Sequence, residues 1–261
     1  MNERPAIHPS AQVDPSAALG PGTIVGPFSV IGRDVTLGSG CRVLPHAVIE
    51  GPAVLGSENR IFPFACIGME PQDLKYRGER TALEIGDGNT FREGVTVHRG
   101  TVGGSGVTRI GSHNLLMAGT HIAHDCRVGD HVIFANAATL AGHVTVEDGA
   151  TIGAFSGVHQ FCRVGRHAYV GGYSVITRDP LPYVLTVGNR ARSYGINVIG
   201  LQRKKFAADA IRALRRAYRI LFRSKMPLEE ALLRLEREFA DQPDVAYMAA
   251  FIRSSRRGVI R

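Results

Sequence analysis

The sequence predicts a mainly β protein, a parallel β-helix followed by a small α-helical domain. Three observations predict it. Aliphatic residues recur every six positions through most of the chain up to Ile176. Glycine often follows the aliphatic residue, as in Ile31-Gly32, Ile67-Gly68, Val128-Gly129 and Val164-Gly165. Beyond Gly200 the apolar residues change to the three- to five-residue steps of amphipathic helices. Neither a helix nor an alternating strand has period six, whereas short strands joined by tight turns do. Three hexads make one triangular coil, so residues 18 apart stack, about 4.8 Å from one another.

The ladder starts at Ile7 and steps through Val13, Leu19, Val25, Ile31, Leu37, Val43, Ile49, Leu55, Ile61 and Ile67. It returns at Ile85, Phe91 and Val97, and again from Ile110 through Ile122, Leu140 and Val158 to Ile176. These side chains are expected to fill the prism, with glycine relieving strain at its corners. Two excursions break the register: roughly 69–81, around Gln72-Asp73-Leu74-Lys75-Tyr76, and 99–108, around Gly103-Gly104-Ser105-Gly106. Loops that leave a rigid scaffold often carry binding residues. A proline-containing connector is expected from Pro180 to about Gly200. Phe206, Ile211, Leu214, Tyr218 and Leu221 then mark a first helix, and Ser224-Lys225-Met226 breaks it. Pro227 suits the first turn of a second, with Leu228, Leu232, Leu235 and Phe239 apolar. A third follows Asp241-Gln242-Pro243. The division is therefore 1–200 for the hexapeptide-repeat β-helix with its connector, and 201–261 for a helical domain covering one end of the prism.

Composition narrows the function classes. No apolar run is long enough to span a membrane, and Met1-Asn2-Glu3-Arg4-Pro5 lacks the layout of a secretory signal. A soluble, cytoplasmic protein is expected. The four cysteines form no Cys-x-x-Cys pair. Cys126 and Cys162 fall two coils apart, about 10 Å, beyond the roughly 7 Å limit for a disulfide. The net charge of +8 lies wholly after Gly200, where 15 basic residues face 7 acidic ones. Such a surface attracts an acidic partner: a nucleic acid, an anionic lipid or an acidic protein.

The 18-residue rule brings chemistry together at one edge. Gly142 falls over His124, with His143 beside it, and Gln160 falls over Gly142, with His159 beside it. His121, His124, His143, His159 and Gln160 should therefore form a column about 10 Å long. Imidazole titrates near neutrality, and Asp125 next to His124 fits a general base with an orienting acid. Converging imidazoles are also a zinc site, as in β-helical carbonic anhydrases. A scaffold with a structural column is the non-enzymatic alternative. No Gly-x-Ser-x-Gly elbow offers a serine nucleophile.

The run His121-Ile122-Ala123-His124-Asp125-Cys126, with Gly142-His143, His159-Gln160-Phe161-Cys162 and Gln72-Asp73-Leu74-Lys75-Tyr76, resembles the UDP-N-acetylglucosamine O-acyltransferase family. The likeness extends over nearly the whole chain, from His98-Arg99-Gly100-Thr101 to the closing Gly258-Val259-Ile260-Arg261. The related N-acyltransferases carry a further N-terminal domain, for which hexads starting at Ile7 leave no room.

The resemblance implies a left-handed β-helix and a cytoplasmic homotrimer with sites between subunits. It implies transfer of an (R)-3-hydroxyacyl chain from acyl carrier protein to the 3-hydroxyl of UDP-N-acetylglucosamine, the first step of lipid A (lipopolysaccharide) synthesis. His124 would be the base, Asp125 its support, and the Gly142 N–H the oxyanion donor. His121, His143, His159 and Gln160 would line the sugar and diphosphate site. Gln72, Asp73, Lys75, Asn197 and Arg203 would help hold the nucleotide or the pantetheine arm. A bulky residue at position 172 would stop the acyl chain, so Gly172 implies a longer one. Ile199 stands where an acid is usual, and Arg190 where a histidine is. No metal or cofactor is implied, and the basic C-terminal segment would meet the acidic carrier protein rather than nucleic acid.

Overall fold

The computed structural model describes residues 4–261, so the reading of the first three residues lies outside the described part. Short strands of two to five residues rotate in turn onto three sheets of 11, 9 and 8 strands, which form the faces of a prism. On the first face Ile24–Val25 pairs in parallel with Arg42–Val43, and that pair with Arg60–Ile61. On the second, His121–Ile122 pairs with Thr139–Leu140 and then Gly157–Val158. On the third, Arg127–Val128 pairs with Thr145–Val146 and then Arg163–Val164. The first residue of each pair points out. The second is a ladder residue and is buried, as at Ile49, Ile61, Ile122 and Leu140. Cys126 and Cys162 precede strands two rungs apart and are free, like the other two cysteines.

The corners are built differently from expectation. Glycine holds the left-handed turn position in some coils, such as Gly22 and Gly149, but Phe28, His46, Phe64, Asp125, His143 and Phe161 hold it in others. Left-handed backbone is costly for side chains with a Cβ. Stacking of like positions offsets that cost: Phe28, His46 and Phe64 stack at 5.2 and 5.3 Å, and His143 and Phe161 at 4.5 Å. The glycines that follow ladder residues serve close approach instead. A Cβ on Gly129 would strike the Asp148 carboxylate of the next coil, and one on Gly165 would strike Pro182.

Both excursions leave from the corner between the second and third faces. The pairing step on the second face widens from 18 residues to 30 between Cys66 and Thr96, and to 25 between Thr96 and His121. At the corner between the third and first faces, three buried asparagines bridge the coils across these breaks. Asn89 Nδ2 donates to Asn59 Oδ1 at 3.0 Å and to the carbonyls of Gly86 and Gly111 at 3.1 and 3.0 Å, and Asn89 Oδ1 accepts from the Asn114 N–H at 2.9 Å.

Residues 180–200 are more ordered than a connector. Val184–Val187 joins the first face and pairs antiparallel with Arg192–Ile196. Helices α1 (Val198–Arg203), α2 (Ala208–Arg223), α3 (Leu228–Glu238) and α4 (Pro243–Ser254) follow. Their apolar faces form a second core with Leu181, Tyr183 and Val184 at the prism's end. Arg163 of the third face and Arg166 of the third–first corner clasp α4. Arg166 bonds Asp244 at 3.0 Å and Tyr183, and Arg163 lies 3.8 Å over the Phe251 ring and donates to its carbonyl at 2.8 Å. Among the described residues no helix is long and apolar enough to cross a membrane.

Asn89→Ala leaves the Gly111 carbonyl and the Asn114 N–H without a partner, each costing about 1 kcal/mol or more, and removes one of the two bonds at Asn59 Oδ1 and at the Gly86 carbonyl. It is expected to destabilise the prism by about 2–4 kcal/mol, read as a fall in the denaturant midpoint, while an exposed change such as Thr36→Ala has almost no effect.

Candidate active site

Asp125 sits in the left-handed turn position of the second–third corner, with φ 60°, a conformation that aspartate tolerates better than most residues. It is 5% exposed. The 99–106 excursion folds back over its carboxylate. Oδ1 accepts from Ser105 N at 2.8 Å and Ser105 Oγ at 3.2 Å, and Oδ2 from Thr101 Oγ1 at 2.7 Å. Thr101 N lies 3.2 and 3.1 Å from the two oxygens. His124 Nδ1 is 2.8 Å from Oδ2. Burial raises the Asp125 pKa, but the donors on Thr101, His124 and Ser105 together outweigh it and hold the carboxyl below its ordinary value. An ionised carboxylate only accepts, so neutral His124 in this contact carries its proton on Nδ1 and presents an Nε2 lone pair.

That ring lies against Gly142. A Cβ there would come within 2.6 Å of His124 Cε1 and 2.7 Å of Nε2. Gly142 occupies the turn position held by Pro27, Pro45 and Pro63 at another corner. Proline is accepted where the coil ladder does not use the N–H. The Gly142 N–H accordingly meets no backbone acceptor among the described residues. A free donor and a free base thus stand side by side.

Three neighbouring imidazoles, His143, His121 and His98, are pushed toward the neutral form by their surroundings. His143 stands edge-on to His124 at 5.1 Å, and burial is the main cause of its lowered pKa. His121 lies 2.7 Å from Thr96 Oγ1 and edge-on to His98 at 5.0 Å, and burial, then the neighbouring His124, lowers its pKa. His98 is pushed down to about 4 by burial, then by His121, His124 and Arg99.

The structure brings His121, His124, Asp125, Gly142 and His143 together. His159 and Gln160 lie further up the same corner and are exposed. His159 contacts Arg257, at 3.1 Å, rather than another histidine. The 70–81 excursion rests on buried Arg99, which donates to the Gly68 carbonyl at 2.6 Å and to Tyr76 Oη at 3.3 Å. Asp73 Oδ1 accepts the Lys75 N–H at 2.9 Å, a local turn that leaves the Gln72 and Lys75 side chains exposed. Gly172 is exposed at the first–second corner. Asn197 and Arg203 are elsewhere. Asn197 caps α1 through Gly200 N at 3.2 Å and donates to the His167 carbonyl at 3.2 Å, at the third–first corner. Arg203 is exposed in the last turn of that helix. Sequence reasoning missed Ser105, Thr108, whose Oγ1 accepts from the Asp125 N–H at 2.8 Å, and Arg257. The placement of an excursion one coil below Asp125 was the available signal for the first two.

Donor atoms of His124, Asp125 and His143 lie within 4.8 Å of one another. The set does not make a metal centre. The Asp125 oxygens and His124 Nδ1 are already committed, which leaves two imidazole nitrogens where catalytic zinc takes three protein ligands.

The domain 2 model of the UDP-N-acetylglucosamine O-acyltransferases matches residues 179–260, and the bacterial transferase hexapeptide model matches 107–142 and 143–178. The acyl-[acyl-carrier-protein]--UDP-N-acetylglucosamine O-acyltransferase of Alkalilimnicola ehrlichii is 54% identical over 197 residues, 76% of each chain. The chain belongs to the UDP-N-acetylglucosamine O-acyltransferase family. Solved members superpose closely. That of Moraxella catarrhalis has TM-score 0.94 at 44% identity over 98% of this chain and 99% of its own. The Arabidopsis enzyme has TM-score 0.86 at 38% identity over 98% and 100%. Family membership favours an acyltransferase over a zinc enzyme or a scaffold.

The depressed His98 pKa makes stability depend on pH. In the unfolded chain the group titrates near 6.5, and in the folded chain near 4. The unfolded state therefore binds the proton first, and stability is complete above about pH 6.5 and falls between 6.5 and 4. His98, together with its repulsion by His121 and His124, contributes a loss on the order of 2 kcal/mol by pH 4. His98→Gln should make the denaturant midpoint less sensitive to acid across that range. An unchanged pH slope in this variant would show that His98 is not held neutral by the fold.

Proposed function

We propose that this chain transfers an (R)-3-hydroxyacyl group from acyl carrier protein to the 3-hydroxyl of UDP-N-acetylglucosamine, opening lipid A synthesis in the cytoplasm. One observation carries the reading in a chain of this family: the lone pair of His124 and the unused N–H of Gly142 adjoin. In this reading His124 Nε2 takes the sugar hydroxyl proton as the oxygen attacks the thioester carbonyl. The C–O bond forms, and the Gly142 N–H donates to the developing oxyanion. Collapse breaks the C–S bond, and His124 returns the proton to the departing pantetheine thiolate. Asp125 holds the imidazole and stabilises its transient charge. His121, His143, His159, Gln160, Gln72, Asp73 and Lys75 line the acceptor side.

The faces support a homotrimer. Outward residues of the third face are charged at Glu84, Arg109 and Arg127. The first and second faces instead present Ile24, Ile133, Tyr169 and Val175, and their shared corner carries Phe28, Phe64, Phe155 and Tyr173, 56–73% exposed. Exposed apolar patches of this kind mark interfaces. With that corner on a threefold axis, the second face of one chain meets the first face of the next. The His124 edge then lies beside the neighbour's third–first edge, where α1 holds Asn197 and Arg203. Those two residues would complete the site from the other subunit. On α2, Arg212, Arg215, Arg216, Arg219 and Arg223 surround a cavity of about 890 Å³ with Tyr194 and Tyr218, a complement for the acidic carrier protein.

The test is product mass spectrometry with mixed acyl-carrier-protein donors, UDP-N-acetylglucosamine and its 3-amino analogue, on protein whose assembly is fixed by sedimentation. His124→Ala should cut turnover by about 10²–10⁴-fold or more, and Asp125→Ala by less, with the trimer intact. Near wild-type turnover by trimeric His124→Ala would remove it as the base. For the acyl groove, a Cβ at Gly172 meets only the Ala154 carbonyl oxygen, at 3.2 Å, and the Ala154 nitrogen, so the backbone can carry a side chain. Gly172→Met should shift preference from long to short hydroxyacyl donors. An unaltered donor profile would place the groove's end elsewhere.

A further inference from the structure

The last coil has no full coil above it, and the C-terminal tail takes that place. Asp179 and Val259 form a parallel bridge. Asp179 N donates to the Gly258 carbonyl at 2.9 Å, and the Asp179 carbonyl accepts from Ile260 N at 3.0 Å. The Asp179 carboxylate, on a residue 2% exposed, accepts from Arg163 N at 2.8 Å and Ser255 Oγ at 2.6 Å. Ile260 packs into the prism core. The tail is thus fixed on both sides of Arg257.

Arg257 is delivered to the column. Its guanidinium nitrogen is 3.1 Å from His159 Nδ1 and 3.4 Å from the Thr177 carbonyl, one rung above. The Gln160 carbonyl is also near His159 Nδ1, at 3.2 Å. These two neighbours demand opposite tautomers. A guanidinium only donates, so beside Arg257 the Nδ1 atom must accept and the proton sits on Nε2. A carbonyl only accepts, so without Arg257 the Nδ1–H form bonded to Gln160 is favoured, and Nε2 becomes a lone pair.

We propose that Arg257 is a positioning residue: it selects the Nε2–H tautomer of His159, so that the ring donates a hydrogen bond to an acceptor oxygen of the nucleotide sugar. This rests on the reading of His159 as an acceptor-side ligand. A ring presenting a lone pair would repel the oxygens that it is meant to hold. Arg257 touches no substrate itself, and its effect belongs to binding rather than to the proton transfer at His124.

Steady-state kinetics on the full-length protein with acyl carrier protein thioester and UDP-N-acetylglucosamine test it. Arg257→Ala should raise KM for the nucleotide sugar about ten- to hundredfold, the range of a lost hydrogen bond to a charged partner, while kcat changes less than about threefold. Arg257→Lys should recover part of the loss, because an ammonium also only donates. In a His159→Ala background Arg257→Ala should add nothing. A wild-type KM in Arg257→Ala overturns the proposal, as does an equal KM rise with and without His159. Equal defects in the Ala and Lys variants with a matching fall in melting temperature would make Arg257 a structural residue and also overturn it. A wild-type protein that forms no product would instead overturn the acyl-transfer reading itself.

Discussion

The hydrogen-bond register between successive coils is the constraint on which the rest depends. Each coil pairs with the next through parallel strands only two or three residues long in most places, so a one-residue slip would turn the ladder residues outward and expose the core. Extra chain can enter only where pairing is absent, at the corners. Both excursions use the same corner, and both precede the coil that carries His124. Insertion there costs little loop entropy and places flexible chain beside a rigid edge. One excursion becomes a cradle for Asp125, and the other brings Asp73 and Lys75 to the same edge.

The site is then shaped by charge. Four imidazoles follow one another at about 5 Å in two edge-on pairs, His98 with His121 and His124 with His143. Protonating several of them together would be costly. Burial and mutual repulsion hold His98 and His121 down. Among the described residues Asp125 is the one carboxylate hydrogen-bonded to the row, and its lone pairs are filled by Thr101, Ser105 and His124. It cannot also serve a metal or a second imidazole. Its hydrogen bond therefore goes to one imidazole of the row, His124, the base proposed above, although His143 also feels its charge. The loop that saturates Asp125 is thus a selectivity device as much as a structural one.

The ladder was legible in the sequence because burial enforces its period on every coil, and the column at His124, Gly142 and His143 was legible because stacking converts spacing into position. The cradle at Thr101 and Ser105 was not, because loop geometry has no period. The hairpin through Val184–Val187 and Arg192–Ile196 was hidden by flanking Pro, Gly and Asn that read as a connector. Corner stacking was hidden too: Phe28 and Phe64 look like core residues, yet their ring positions are set by a left-handed backbone that faces outward. Asn197 and Arg203 follow the histidines in sequence but lie at a different edge, a fact of topology rather than spacing.

That last separation has a physical consequence. A triangular prism offers each edge only two adjoining faces, so a convex edge such as the His124 corner cannot by itself enclose a diphosphate and an acyl chain. Water must be excluded from the reacting thioester for the Gly142 donor to have its full effect. A wall must come from a surface that is apolar where it meets the second face and basic where it meets the nucleotide. The chain's own first face has the first property, through Ile24, Ile133 and Tyr169, and α1 at its far edge has the second, through Arg203 and Lys204. Leu74, 95% exposed on the 70–81 excursion, projects from the His124 edge with nothing among the described residues to cover it. One surface of the same molecule meets all three needs, and the threefold arrangement proposed above is the closed symmetry that applies it to every site at once.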